Sequence, residues 1–302
     1  MMQFEKQASV TTSSAPHIAL IPAYNEARFI GSVVLKARRY VDIVLVIDDG
    51  SQDDTAEIAE AAGALVIRQP NMGKAGAINA GLEKARSLNA AALVLLDGDG
   101  QHDASDIPTL MQPILDGTAD LVVGSRFLGT ESNIPRWRVA GQHALTLATN
   151  VASGVTLTDS QNGFRALSPR ALSSLKFRTS GFSIESEMQF LVKQYNLSVG
   201  EVAISVNYDE KPKRNPFKHG VQVLNGILQM VAQNRPLFFF GVTGTLILAI
   251  GIGLALIVVD RYRIYTQLAL GTAIVSMTLS IVGVLTIFTG LILHTIRAYM
   301  TR

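Results

Sequence analysis

The chain has 302 residues, 26 Lys and Arg against 24 Asp and Glu, a formal net charge of +2, and no cysteine. Its length allows one large domain or two smaller ones. Lack of cysteine excludes a disulfide framework and a thiolate metal site, and the near balance of charge excludes a nucleic-acid binder that works through a dominant basic surface.

Residues 1–16 lack the apolar core of a signal peptide and are expected to form a flexible tail. Residues 17–22, HIALIP, read as an apolar strand closed by Pro22, and Phe29, Val33 and Ala37 then recur at helical spacing. Asn25 is placed to cap that helix, with Glu26 in its first turn. The run Pro22-Ala23-Tyr24-Asn25-Glu26 is either simple punctuation or an aromatic and a carboxylate set to hold a nucleobase. Residues 41–47 form a second apolar strand that ends in Asp48-Asp49-Gly50-Ser51, ahead of a helix over 55–62. Asp53 or Ser51 suffices to cap that helix, so Asp48 and Asp49 exceed what capping needs. A third strand, 64–68, leads into Asn71-Met72-Gly73-Lys74-Ala75-Gly76 and a helix through Ala85. Glycines and a lysine at a helix start suit phosphate, but the pattern G-x-x-x-x-G-K-[ST] is absent, which excludes a phosphate-loop nucleoside triphosphatase.

The fourth strand, 91–96, delivers Asp97 and Asp99 to its C-terminal end, the edge at which open α/β sheets bind ligands. Gly98 and Gly100 are expected to clear space for a bulky anion beside Asp99. Carboxylates in this setting suit a hard divalent cation that keeps positions open for phosphate oxygens. The competing expectation is a tight loop whose Asp residues cap a helix starting near Ser105. A helix over 105–115 and a strand over 120–124 follow, the latter ending in Ser125-Arg126. Then come a loop over 130–138, a helix over 139–151, a polar run over 158–163, a short strand over 164–167, a helix over 184–195 and an alternating strand over 199–206. This alternation predicts an α/β domain over 17–208, with a mostly parallel sheet covered by helices on both faces. No G-x-G-x-x-G follows the first strand, so the dinucleotide-binding variant is excluded.

Composition changes over 209–235. Lys211, Lys213, Arg214, Lys218 and Arg235 accompany an apolar stripe at Val221, Leu224, Ile227, Leu228 and Val231, the profile of a helix lying in a membrane interface. Arg235-Pro236 is expected to turn the chain into the bilayer. Residues 237–259 and 264–293 carry no charge, and at about 1.5 Å per residue each run crosses a hydrocarbon core of roughly 30 Å. A transmembrane hairpin over 236–302 is predicted, with spans about 237–259 and 268–293. The basic flanks of the hairpin favour the cytoplasmic side, against Arg261 and Arg263 in its loop. A transport or interaction protein that oligomerises through Gly241, Gly244, Gly251 and Gly253 is the rival from another class, but it would call for polar residues at mid-membrane.

In order along the chain stand P-x-Y-N-E (22–26), D-D-G-S (48–51), N-x-G-K (71–74), D-x-D-x-Q-H (97–102), G-S-R (124–126) and G-F-R (163–165). Over about 18–230 the chain resembles the polyprenyl-phosphate glycosyltransferases of family 2, the group of the dolichyl-phosphate mannose synthases. The resemblance implies a GT-A fold, Rossmann-like, followed by a membrane hairpin. It implies transfer of one sugar from a nucleotide-diphosphate sugar, such as GDP-mannose or UDP-glucose, to a polyprenyl or dolichyl phosphate, with inversion and with Mg²⁺ or Mn²⁺. The partners would be that donor, that lipid and the bilayer, with homo-oligomerisation left open. The catalytic domain would face the cytoplasm at the plasma or inner membrane and serve glycan or glycoprotein assembly.

By the same resemblance Pro22, Tyr24, Glu26, Asp49, Lys74, Asp97 and Asp99 bind the nucleotide sugar, and Asp97, Asp99 and Gln101 hold the metal. Asp99, Arg126 and Asp159 are the catalytic candidates. Arg136, Arg138, Arg165, Lys213 and Arg214 are the acceptor candidates, helped by Lys211 and by the interfacial character of Ile134 and Trp137. The eukaryotic mannose synthases typically read D-A-D-L-Q-H where this chain has glycine spacers, which weakens any inference that the sugar is mannose. A lipid phosphate is already an anionic nucleophile, so no strong base is needed, and His102 is expected to position rather than to act as a base or ligand. A processive polysaccharide synthase is the rival on the same fold, but its Q-x-x-R-W motif is absent.

Overall fold

The computed structural model describes residues 15–129, 136–177, 184–205 and 235–300, with isolated positions between 225 and 232. The chain divides into two compact units, Met1–Val223 and Leu224–Arg302.

The first unit is a three-layer α/β/α domain. Its strands are β1 (His17–Ala23), β2 (Ile43–Asp48), β3 (Leu65–Arg68), β4 (Ala92–Leu95), β5 (Leu121–Ser125), β6 (Arg165–Leu167) and β7 (Val199–Ala203). They form one sheet in the order β3-β2-β1-β4-β6-β5-β7. Every pairing is parallel except those of β6, which runs antiparallel between β4 and β5. The central strands are apolar at successive positions because both faces are covered. Alternate residues supply two cores. Ala19, Ile21, Val94 and Leu96 pack with helices α1 (Ile30–Ala37) and α4 (Ile107–Leu115). Ile18, Leu20, Leu93 and Leu95 pack with α3 (Gly73–Ser87), α6 (Pro169–Ser174) and α7 (Ile184–Gln194).

Helix α2 (Thr55–Ala61) matches its predicted segment, whereas α5 (Arg136–Ser153) opens inside the stretch expected to be a loop. Strand β7 stops at Ala203, short of the predicted 206. A single 3₁₀ turn over Ala104–Asp106 precedes α4, and Asp103 caps it by accepting from Ser105 N–H at 3.0 Å.

The second unit is a hairpin of α8 (Pro236–Tyr265) and α9 (Leu270–Met300). Pro236 occupies the first helical position, where its missing N–H costs nothing. Small residues let the two helices approach closely. A Cβ on Gly244 would lie 2.7 Å from the Gly283 carbonyl oxygen, and one on Gly251 would lie 2.6 Å from Ser280 Oγ. Ser276 Oγ donates to the Gly251 carbonyl at 2.9 Å. Gly241 and Gly253, grouped with them by sequence, have open space around the same position and are not packing glycines. Both helices are long and apolar enough to cross a membrane, and only 17 % of each apolar window is buried, unlike the core helix of a soluble protein.

Candidate active site

Chain order and sheet order diverge between β1 and β4. The first three strands step outward from β1 on one side, and β4 pairs on the other, so the C-terminal ends of β1 and β4 border a topological switch point where open α/β sheets bind ligands. The run after β1, the Asp pair after β2 and the D-x-D after β4 therefore share one edge of the sheet. Ala23 is in register with Asp48, and Leu20 with Leu95.

The first two of these loops clasp each other. Asn25 N–H donates to Ser51 Oγ (3.0 Å), Glu26 N–H to Thr55 Oγ1 (2.8 Å) and Ala27 N–H to Asp53 Oδ2 (3.2 Å), while Gln52 N–H donates to Asn25 Oδ1 (2.8 Å). Asn25 thus does not cap α1, which starts at Ile30 without a side-chain cap. It takes a positive φ of 55° and ties the two loops instead, as asparagine tolerates. Asp53 Oδ1 accepts from both the N–H and the hydroxyl of Thr55 at the start of α2. Asp49 is buried, and its Oδ1 accepts from Gln69 Nε2 (2.7 Å) and Met72 N–H (2.8 Å), which fixes the approach to α3. Gly50 is obligatory here, since its φ is +77° and a Cβ would lie 2.9 Å from Asn71 N. Tyr24 is exposed and Pro22 and Glu26 half-buried, all at the switch point.

Neither Asp97 nor Asp99 caps the following helix, since Asp103 does so. Asp99 Oδ1 accepts from Gln101 N–H at 3.1 Å, turning the loop at Gly100, whose φ is +76°. The expected clearance for an anion is not what the two glycines provide. A Cβ on Gly98 would point at Ile21, Glu26 and Ile30, and one on Gly100 at the Phe29 ring, all at ordinary contact distance of 3.5 Å or more. Asp97 Oδ1 lies 2.9 Å from Lys74 Nζ, which lies 2.9 Å from Glu185 Oε1 at the start of α7. His102 Nε2 stands 3.6 Å from Asp97 Oδ2, with its ring against Phe164. Partial burial alone would lower the Lys74 pKa, but Asp97 and Glu185 outweigh it and hold the ammonium above its ordinary range. On Asp97 the same desolvation, which would raise the carboxyl, is outweighed by Lys74 and His102, and the group stays well below the usual carboxylate range.

Among the described residues, no group of three or more His, Cys, Asp or Glu side chains forms a ready metal cage. The donor set at the end of β4 still fits a hard divalent cation. Two carboxylates and the Gln101 amide supply oxygen only, and Mg²⁺-type ions are commonly held by one or two carboxylates plus substrate phosphates. The residues therefore suit a cation completed by its substrate.

The end of β5 carries a different arrangement. Arg126 Nε and Nη2 donate to the two oxygens of Asp159 at 2.6 and 2.7 Å, and both residues are buried. Glu201 on β7 accepts from the N–H groups of Thr158 (2.8 Å) and Asp159 (3.3 Å), fastening that turn to the sheet. Both oxygens of Asp159 are bonded to Arg126, so the two residues expected to be catalytic meet each other at the end of β5. Arg165, expected on the acceptor side, is enclosed. It is 1 % exposed, and its guanidinium donates to the carbonyls of Ser160 (2.7 Å), Asn162 (2.8 Å) and Glu185 (3.1 Å). Burial lowers its pKa against the pull of Glu185 and Asp159. Arg136 and Arg138 belong to the first turn of α5, and their side chains, like the whole of Lys211, Lys213 and Arg214, lie outside the described residues. Glu185, Glu201 and Gln69 were not singled out as site residues by sequence. Each acts on a partner remote in the chain, which local spacing does not reveal.

The family model of glycosyl transferase family 2 matches residues 18–175, just over half of the chain. The chain belongs to glycosyltransferase family 2. It is 31 % identical over 280 residues to glycosyltransferase AglJ of Haloferax volcanii, covering 90 % of this chain and 91 % of the relative. It is 33 % identical over 214 residues to a UDP-N-acetylglucosamine–dolichyl-phosphate N-acetylglucosaminyltransferase of Methanococcus voltae, covering 63 % of this chain and 85 % of the relative. Among solved structures, glucosyl-3-phosphoglycerate synthase of Mycobacterium tuberculosis, in complex with Mn²⁺, UDP-glucose and phosphoglyceric acid, superposes with a TM-score of 0.55 at 23 % identity. That match covers 72 % of this chain and 79 % of the synthase. The glycosyltransferase thus has a GT-A-like α/β sheet, followed by two long apolar helices packed together.

Proposed function

We propose that this glycosyltransferase moves a single sugar from a nucleotide-diphosphate sugar to a membrane polyprenyl or dolichyl phosphate, with Mg²⁺ or Mn²⁺ and inversion at the anomeric carbon. The carrying observation is the Asp97–Asp99 pair at the end of β4, beside the switch point, with Asp97 2.9 Å from Lys74. The dolichyl-phosphate N-acetylglucosaminyltransferase relative supports the acceptor class.

In this mechanism Pro22, Tyr24, Glu26 and Asp49 line the nucleoside side. Asp97, Asp99 and Gln101 hold the cation, and Lys74 meets the diphosphate. When bound, the cation neutralises the charge that develops on the departing nucleoside diphosphate. The lipid phosphate brings its own negative charge, so the protein's task is to bring two anions together. Arg136 and Arg138 at the start of α5, with Lys213 and Arg214, are the cations proposed for that role. The buried Arg126–Asp159 pair and Arg165 keep the acceptor-side wall rigid. The domain boundaries follow: a tail over 1–16, a catalytic domain over 17–208, a basic juxtamembrane segment over 209–235 and a membrane hairpin over 236–302, with the catalytic domain on the cytoplasmic side.

Incubating the full chain with a panel of UDP- and GDP-sugars, polyprenyl phosphate and Mn²⁺ tests this function. The expected product is a lipid phosphate carrying one sugar with inverted anomeric configuration. A growing polymer would instead assign a processive synthase, and no transfer to lipid with any donor would refute the acceptor.

A further inference from the structure

Lys74 stands at the centre of a cluster that the donor site alone does not explain. Its Nζ is equidistant, at 2.9 Å, from Asp97 Oδ1 and Glu185 Oε1, two carboxylates on elements far apart in the chain. The Glu185 side chain is the least exposed of the three, at 15 % against 42 % for Lys74 and 30 % for Asp97. Glu185 is therefore the fixed anchor and Asp97 the exchangeable partner. Gly163 makes room for this closure, because a Cβ there would lie 2.8 Å from Asp97 Oδ2 and 3.4 Å from Lys74 Nζ. The space left beside Lys74, Asp97, Arg165 and Glu185 is a cavity of about 10 Å³, room for roughly one water. Lys74 thus fills a place that a cation and a diphosphate both require, and an ammonium and a divalent cation repel each other on one carboxylate oxygen.

We propose that Glu185 is a positioning residue that holds Lys74 on Asp97 while the donor is absent, and keeps Lys74 beside the diphosphate once Asp97 has turned to the cation. This rests on the donor site proposed above. Its consequence is ordered binding: Asp97 accepts the cation readily only when a nucleoside diphosphate is there to take Lys74.

Mn²⁺ binding to the full chain, followed by electron paramagnetic resonance with and without UDP or GDP, tests this without any turnover. Removing Lys74 alone also removes a positive charge, so the informative variant is the double replacement Lys74→Met with Glu185→Met, which leaves the net charge unchanged. In the absence of nucleotide it should bind Mn²⁺ roughly fivefold tighter than wild type, the scale of one partly exposed ion pair, and the strengthening by nucleotide should shrink. The neutral polar pair Lys74→Gln with Glu185→Gln gives the same comparison if methionine disturbs folding. Wild type that binds Mn²⁺ with nucleotide, beside double variants that show no gain without it, would overturn the Glu185 role and leave the donor site standing. Absence of Mn²⁺ binding to wild type under every condition would overturn both.

Discussion

Two ion pairs end neighbouring parts of the same sheet edge, and they differ in kind. After β4, Lys74 and Asp97 meet at 2.9 Å with side chains 42 % and 30 % exposed. After β5, Arg126 and Asp159 meet at 2.6 Å with side chains 10 % and 0 % exposed. The first pair keeps contact with solvent, so each partner can be exchanged for another ligand at modest cost. The second has lost its hydration and depends on its own geometry, so separating it leaves an uncompensated buried charge. Burial, more than distance, distinguishes a contact that function can open from one that holds the fold.

Breaking the buried pair should have the largest effect. Asp159→Ala is expected to destabilise the catalytic unit by about 3–5 kcal/mol. Pulse proteolysis across a denaturant series, read on fragments of residues 17–205, reports on that unit separately. Replacing both partners, Arg126→Met with Asp159→Leu, should recover most of the loss. A small effect of Asp159→Ala would mean that the pair is not locked.

Asp120 offers an intermediate case. It accepts from Ser168 Oγ (2.9 Å), from the N–H and the hydroxyl of Ser198 (3.0 Å each) and from Arg170 (3.0 Å), joining the start of β5 to the flanks of β6 and β7. Burial would raise its pKa, but these donors outweigh it and hold the carboxyl below its ordinary value of 3.8. A depressed folded pKa gives stability that is present above the unfolded value and is lost as pH falls through the folded one. Asp120→Asn should therefore cost about 1–3 kcal/mol near neutrality. Unfolding measured across a pH series should show that gap closing only below about pH 4.

The D-x-D glycines should separate by backbone rather than by space. Gly100→Ala, at φ +76°, is expected to cost about 1–2 kcal/mol. Gly98→Ala, with its nearest neighbours at 3.5 Å, should be neutral or stabilise by roughly 0.4–1 kcal/mol. The smallest effect on stability belongs to the exposed pair. Lys74→Met should shift unfolding by about 1 kcal/mol or less, whatever it does to cation binding.

The same contrast explains how much was legible in the sequence. Strands β1, β2 and β4 stand out because a sheet covered on both faces requires continuous apolar runs, and the strand-end carboxylates are visible because they outnumber the caps that local structure needs. What escapes local pattern is the identity of a partner. Glu185 reaches Lys74 across 111 positions, and nothing in the spacing of either motif announces it. Asn25 reads as a helix cap because its chemistry suits one, yet its side chain serves the loop after β2. Arg165 resembles an anion ligand by type but is buried among carbonyls, a fate decided by packing of β6 between β4 and β5. The start of α5 at Arg136 was hidden by a polar, tryptophan-containing run that reads as loop.

The central claim is that Asp99, beside the switch point, works on the donor through a divalent cation. Its most direct test compares wild type and Asp99→Asn for transfer from the preferred nucleotide sugar to polyprenyl phosphate, with Mn²⁺ and with excess chelator. Turnover should fall by about 10²-fold or more in the variant and vanish for wild type in chelator, while pulse proteolysis shows unfolding unchanged. Full transfer by Asp99→Asn, or by wild type in chelator, would contradict the account.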